Sequence, residues 1–171
     1  MNRIELFEEV KSWLEGEKLM FAADEEDRDF CVRMHIENGL VMVRLVCEES
    51  PAMLQAVCTF PVKVPKDKTA AAGLFLHSLN SQLRMGAFHF DPKGRLVQFR
   101  LAMPIRPDSE LHPQFTEAFG LALSTVDDAF HPLCLFLCAS KKAQKTVAKH
   151  SPAKETVEEE PQLPRNRLEF N

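Results

Sequence analysis

The residues of this chain best suited to chemistry lie in "HPLCLFLC", where His131, Cys134 and Cys138 fall three and four apart. On a continuous helix that spacing puts all three on one face. An imidazole and two thiolates would suit zinc. A fourth ligand is missing nearby, no CxxC knuckle is present, and both cysteines are embedded in Leu and Phe. A thiol in such surroundings packs as a small hydrophobe. Pro132 also interrupts the helical pattern. The trio is therefore a weak metal candidate, with core packing the first expectation, and a Cys134–Cys138 disulfide is less favoured still.

A second group lies in "AFHFDPKGRLVQFRLAM", where His89 and Asp91 are followed by Lys93, Arg95 and Arg100. Nucleophilic catalysis would need Ser or Cys beside His and an orienting acid. His77 and Ser78 are adjacent, and neighbours on a helix point ~100° apart. Asp127 and Asp128 read as the solvated side of a helix. No GxSxG and no glycine-rich phosphate loop occurs. The expectation is a protein that is not an enzyme and needs no cofactor.

The elements that carry these residues follow from apolar periodicity. Ile4, Phe7, Val10 (or Leu6 one turn earlier) and Leu14 recur at helical spacing, with Asn2 as cap, Gly16 as stop and Trp13 as a packing anchor. From Lys18 the period becomes two. "KLMFAA" predicts a short strand and "DEEDRD" a solvated turn. "FCVRMHI", "LVMVRLVC" and "MLQAVCTF" then predict three longer strands. Asn38-Gly39 suggests a type I′ hairpin with positive φ at both residues. Four strands on short connections form an antiparallel meander, ended by Pro61 and Pro65. A helix is expected over 67–85, with Ala72, Phe75, Leu76, Leu79 and Leu83 inward, Asn80 outward, and Gly86 stopping it in the left-handed region. The next hairpin turns on "DPKG", with Gly94 supplying the positive φ. A third helix begins near Ser109 and presents Phe115, Phe119, Ala122, Val126 and Phe130. Pro132 ends or kinks it, and "LCLFLCA" continues as helix or strand. The expected fold is α+β, a twisted antiparallel sheet in the order α-β-β-β-β-α-β-β-α with helices covering one face.

Alternation leaves the other sheet face to Cys31, Arg33, His35, Met42, Arg44, Gln55, Val57, Thr59, His89, Gln98 and Arg100. An antiparallel sheet can leave such a face in water. This one mixes Arg, Met and Val, a blend common at protein interfaces. Arg33, His35, Met42, Arg44, Val57, His89 and Arg100 are the candidate binding surface, for a protein partner, a peptide segment or a second copy in a homodimer.

Composition bounds the function class. Residues 1–139 hold 14 Lys and Arg against 20 Asp and Glu, a net −6, whereas 140–171 is +2. An acidic body argues against nucleic-acid binding, whose affinity comes from Lys and Arg neutralising phosphates. The start has no apolar leader region, and "PLCLFLCA" is far short of the ~20 residues that span a bilayer. Five cysteines, mostly in apolar runs, fit a reducing cytoplasm. One domain over 1–139 is expected. The 140–171 tail is rich in Lys, Glu, Pro and Gln and reads as disordered.

Several phrases at matching places resemble the YbjN-domain family of bacterial proteins. They are "FCVRMHIENGLVMVRLVCEES", "FPVKVPKDKTAAAGLFLHSLNSQLRMGAFHFDPKGRLVQFRLAMPI" and the helix through "TVDDAFHPL". The resemblance spans roughly residues 1–138. It implies a fold like that of type III secretion chaperones, a frequent dimer, and a non-enzymatic role; members are labelled sensory-transduction or stress regulators. It carries no catalytic residues across. The apolar segment with two cysteines and the charged tail depart from the family pattern. Two functions stay open: a chaperone-like or adaptor-like protein-binding module, or a metal- or small-ligand-responsive regulator using His131, Cys134 and Cys138.

Overall fold

The computed structural model describes residues 1–139. Its first helix, α1 (Arg3–Gly16), starts on a capping box: Asn2 accepts from the Glu5 N–H at 2.9 Å while its own N–H donates to the Glu5 carboxylate at 2.9 Å. This satisfies two of the N–H groups that a helix start otherwise leaves unpaired. Leu6, Phe7, Val10, Trp13 and Leu14 form its buried stripe. Ile4, expected within it, is 56 % exposed, because the helix turns its Leu6 and Phe7 edge to the sheet instead.

Four strands follow, β1 (Phe21–Asp24), β2 (Asp29–Ile36), β3 (Gly39–Glu48) and β4 (Met53–Lys63). After a 3-10 turn at Lys66–Lys68 come α2 (Thr69–Asn80), β5 (Ala87–Asp91), β6 (Leu96–Pro104) and α3 (Leu111–Cys138). The six strands make one antiparallel sheet in the order β1-β2-β3-β4-β6-β5. The α-β-β-β-β-α-β-β-α order and the α+β class are as expected. Val41, Val43, Leu45, Leu54, Ala56, Cys58, Phe60, Val97, Phe99 and Leu101 are buried on one face, as period-two alternation requires.

Rings join the helices to that face. Phe7 of α1 stacks on Phe30 of β2 at 4.4 Å, and Phe130 of α3 meets Phe60 of β4 at 5.6 Å. Trp13 sits edge-on to Phe115 and Phe119 and donates its indole N–H to Thr116 Oγ1 at 3.0 Å. It is the anchor between α1 and α3.

Several local expectations fail, each for a tertiary reason. The β2–β3 loop is Glu37-Asn38, since Ile36 pairs with Gly39. Neither Asn38 nor Gly39 has positive φ, so the turn is not type I′. Gly39 is required by packing: a Cβ there would lie 2.2 Å from the Phe130 ring. Asn38 points at α3, donating its N–H to Asp127 Oδ1 at 2.9 Å. Asp127 thus pins the hairpin tip and does not belong to a merely solvated side. In the "DPKG" turn, Asp91 accepts the N–H groups of Lys93 and Gly94, and the positive φ falls on Arg95. Gly86 does take φ +73, with β6 so close that a Cβ would meet Phe99 and the Arg100 carbonyl.

The predicted helix over 67–85 is shorter, because Asn80 is used elsewhere: it accepts the Phe88 N–H at 2.7 Å and donates to the Phe88 carbonyl at 3.0 Å. A side-chain amide here replaces the backbone partner that the outer edge of β5 lacks. β4 runs through Pro61 because the β4–β6 register slips between Thr59 and Lys63. A slip accommodates a residue with no N–H to give.

α3 likewise continues through Pro132 to Cys138. Its end is held by Lys68, 7 % exposed, whose Nζ donates to the carbonyls of Phe136 at 2.8 Å and Leu137 at 2.5 Å. Phe75 stacks on Phe136 at 4.6 Å. By length and composition α3 is apolar enough to cross a membrane. Its buried stripe, Phe115 through Leu137, packs in the core. The expected disorder of residues 140–171 lies outside the described residues.

Candidate functional site

The sheet register assembles the predicted surface row by row. One row runs Cys31, Arg44, Val57, Arg100 and Ala87 across β2, β3, β4, β6 and β5. The next runs Arg33, Met42, Thr59, Gln98 and His89. His35 lies opposite Leu40 beyond them. All seven predicted surface residues therefore share one face, the one turned away from the helices. Cys31, Arg33, His35, Arg44, His89 and Arg100 are exposed, and Met42 is half-buried.

Val57 is the exception, at 8 % exposed. It stands directly between Arg44 and Arg100, and long arginine stems shelter an apolar neighbour while their guanidiniums stay wet. The centre of the face is thus an apolar spot between two arginines.

The cations are not equivalent. Arg44 is committed: it pairs with Asp29, which is 6 % exposed, and lies 3.7 Å from Asp27. Reading "DEEDRD" as a purely solvated turn misses this, because Asp29 opens β2 and is buried. Arg100 donates only to Gln98 Oε1 at 3.1 Å, and Gln98 donates to Thr59 Oγ1 at a long 3.4 Å. Among the described residues, neither Arg33 nor Arg100 has an ion pair. A polar hollow of about 380 Å³ lies at the β5–β6 end, lined by His89, Phe90, Asp91, Gln98 and Arg100.

On the helical side, a groove of about 300 Å³ separates the end of α2 from α3. Leu79, Leu83, Phe88, Ala129 and Pro132 line it, with Gln82 and Asp128 at the rim. Periodicity did not point to this groove, since it forms only where α2 stops early.

The metal candidates fare differently. α3 is continuous through His131, Cys134 and Cys138, yet among the described residues no group of three or more His, Cys, Asp or Glu is placed to hold a metal ion. His131 and Cys138 face solvent and Cys134 is half-buried. Desolvation raises the Cys134 thiol above its ordinary value, with neighbouring Cys138 adding to the effect, so the thiolate that a metal needs is disfavoured. All five cysteines are free thiols. Burial pushes Cys47 and Cys58 up to about 12, which makes them inert core groups.

Among the described residues, no Ser or Cys side chain is hydrogen-bonded to a His side chain. Comparison with known proteins agrees with the fold. Residues 7–135 match the family model YbjN, described as "Putative bacterial sensory transduction regulator". The chain belongs to the YbjN family. No curated protein matches it. The crystal structure of YbjN from E. coli aligns with TM-score 0.51 at 8 % identity, covering 72 % of this chain and 89 % of that one. A chain of the ExsC–ExsE complex aligns with TM-score 0.52 at 14 % identity, covering 82 % and 100 %. A chain of the HopA1–SchA chaperone–effector complex aligns with TM-score 0.49 at 14 % identity, covering 76 % and 97 %. This YbjN-family chain therefore shares its sheet-and-helix fold with the E. coli YbjN chain and with the chain of the ExsC–ExsE complex.

Proposed function

We propose that this YbjN-family protein is a non-enzymatic protein-binding module, chaperone-like or adaptor-like, acting in the cytoplasm in a regulatory role. Residues 1–139 are the binding module, and its docking surface is the outer face of the sheet. The observation that carries the reading is the centre of that face. Half-buried Met42 offers apolar contact beside the sheltered Val57, and exposed Arg33 and Arg100 can hydrogen-bond a partner's carbonyls or carboxylates. Interface cores favour Met and Arg in this way. A structural neighbour solved as a two-protein complex supports the same use of the fold.

The test is a peptide array and a pull-down with the full chain, comparing wild type with Val57→Asp and, because Val57 is 8 % exposed, with Met42→Glu at a half-buried position of the same face, each shown to be folded by thermal melting. Leu74→Asp on α2, where Leu74 is 76 % exposed, serves as the helix-side control. Peptide binding and stoichiometric capture that the folded sheet-face variants weaken at least tenfold, and Leu74→Asp leaves intact, support the proposal. Capture of no protein and no peptide, or equal loss with the sheet-face and helix-side variants, removes it.

A further inference from the structure

We infer that the partner segment recognised by the outer sheet face is extended and presents apolar side chains flanked by acidic ones on a single face, its carboxylates meeting Arg33 and Arg100. This rests on the docking role proposed above and adds the chemistry of the occupant.

The argument starts from which charges are spent. Asp29 and Asp27 hold Arg44. The Asp91 carboxylate accepts two turn N–H groups. Arg33 and Arg100 remain exposed with no ion pair among the described residues. They are also displaced from each other across the face. Arg33 is on β2 and Arg100 on β6, three strand intervals away and one row along. At ~4.8 Å per interval and ~3.4 Å per residue, their Cα atoms lie roughly 16 Å apart. An extended segment bridges that span with acidic residues about four to six positions apart. Between the two arginines lie Met42 and Val57, which need apolar side chains opposite them.

Two uncommitted arginines on a body of net charge −6 suit a peptide better than a nucleic acid, which typically needs several phosphate contacts. Guanidinium forks also match carboxylates in geometry as well as charge.

The test uses the full chain and three fluorescein-labelled peptide series that carry Val at alternate positions, so that the Val side chains share one face, flanked on that face at the spacing above by Glu, by Lys or by Ser, with Ser on the opposite face. Fluorescence anisotropy reports affinity for wild type, Val57→Asp and the double variant Arg33→Glu/Arg100→Glu. The double variant changes only exposed positions, whereas Val57 is 8 % exposed, so thermal melting confirms that both variants fold, and Met42→Glu takes the place of Val57→Asp if the latter does not. Wild type should prefer the Glu series over the Lys series by about tenfold, since each exposed ion pair is worth up to about fivefold. That preference should shrink as salt rises and should invert in the double variant. Equal binding of all three series, still lost in Val57→Asp, overturns the acidic occupant while leaving the docking role standing. Binding that ignores Val57→Asp overturns both. Displacement of the Glu series by a single-stranded DNA oligonucleotide, dependent on Arg33 and Arg100, overturns the inference in favour of phosphate recognition.

Discussion

Replacing Asn80 with alanine removes the two hydrogen bonds that close the outer edge of β5. The amide accepts from the Phe88 N–H at 2.7 Å and donates to its carbonyl at 3.0 Å. Each neutral hydrogen bond contributes about 1 kcal/mol net, so Asn80→Ala should destabilise the fold by roughly 2 kcal/mol. Water can reach the exposed side of this part-buried pair, which sets the lower limit near ~1 kcal/mol. For a unit of this size, 2 kcal/mol corresponds to about 6–8 °C in Tm. Urea unfolding measures the free energy, and amide hydrogen exchange reads the site itself. The Phe88 amide should exchange about 30-fold faster, whereas amides of β3 should follow only the global change. The variant should also self-associate at high concentration, because an uncapped edge strand offers its backbone to another chain. A stability change below ~0.5 kcal/mol, with the Phe88 amide as slow as in wild type, would refute the assignment of Asn80 as the edge cap.

Other outcomes follow from the same geometry. Gly39→Ala places a methyl against the Phe130 ring and should cost about 1–3 kcal/mol by overpacking; Gly39→Ala with Phe130→Leu should recover part of it in urea unfolding. Lys68→Met removes a buried ammonium from the Phe136 and Leu137 carbonyls, and should cost about 2–3 kcal/mol and lower helicity by circular dichroism. In alkylation followed by mass spectrometry, Cys31 and Cys138 should react first, Cys134 more slowly, and Cys47 and Cys58 only on unfolding. The buried thiols also set a pH dependence. Cys47 and Cys58 rise from 9.0 to about 12 in the folded state, so the native state keeps protons that the unfolded state loses. Their contribution is complete below pH 9.0 and is lost as pH rises toward about 12, with a limiting slope of about 1.4 kcal/mol per pH unit for each group. Urea titrations across that range should show Cys58→Ala with the shallower decline.

Most of the architecture was legible in the sequence because alternation and helical stripes are local. Phe30 through Ile36 and Val97 through Met103 declare their faces without reference to the rest of the chain. The seven surface residues were legible for the same reason, since alternation assigns them all to one face. What local reading missed depends on partners far along the chain. Asn80 reads as a helix-surface residue until Phe88 is beside it. Lys68 reads as a solvated lysine until α3 ends above it. Gly39 looks like a turn residue but answers to Phe130, 91 positions later. Pro61 and Pro132 look like terminators, yet a register slip and the packing around α3 absorb them. Asp29 looked like one acid in a charged loop, and only the register with Val46 and its contact with Arg44 bury it.

The most direct measurement of the docking claim uses two native thiols as reporters. Cys31 is exposed on the outer sheet face beside Arg44, and Cys138 is exposed at the end of α3. Their alkylation rates should be compared with and without a saturating peptide selected on the array. Slowing of Cys31 by several-fold with Cys138 unchanged is the predicted result. Slowing of Cys138 with Cys31 unaffected would place the partner on the helical side and contradict the account.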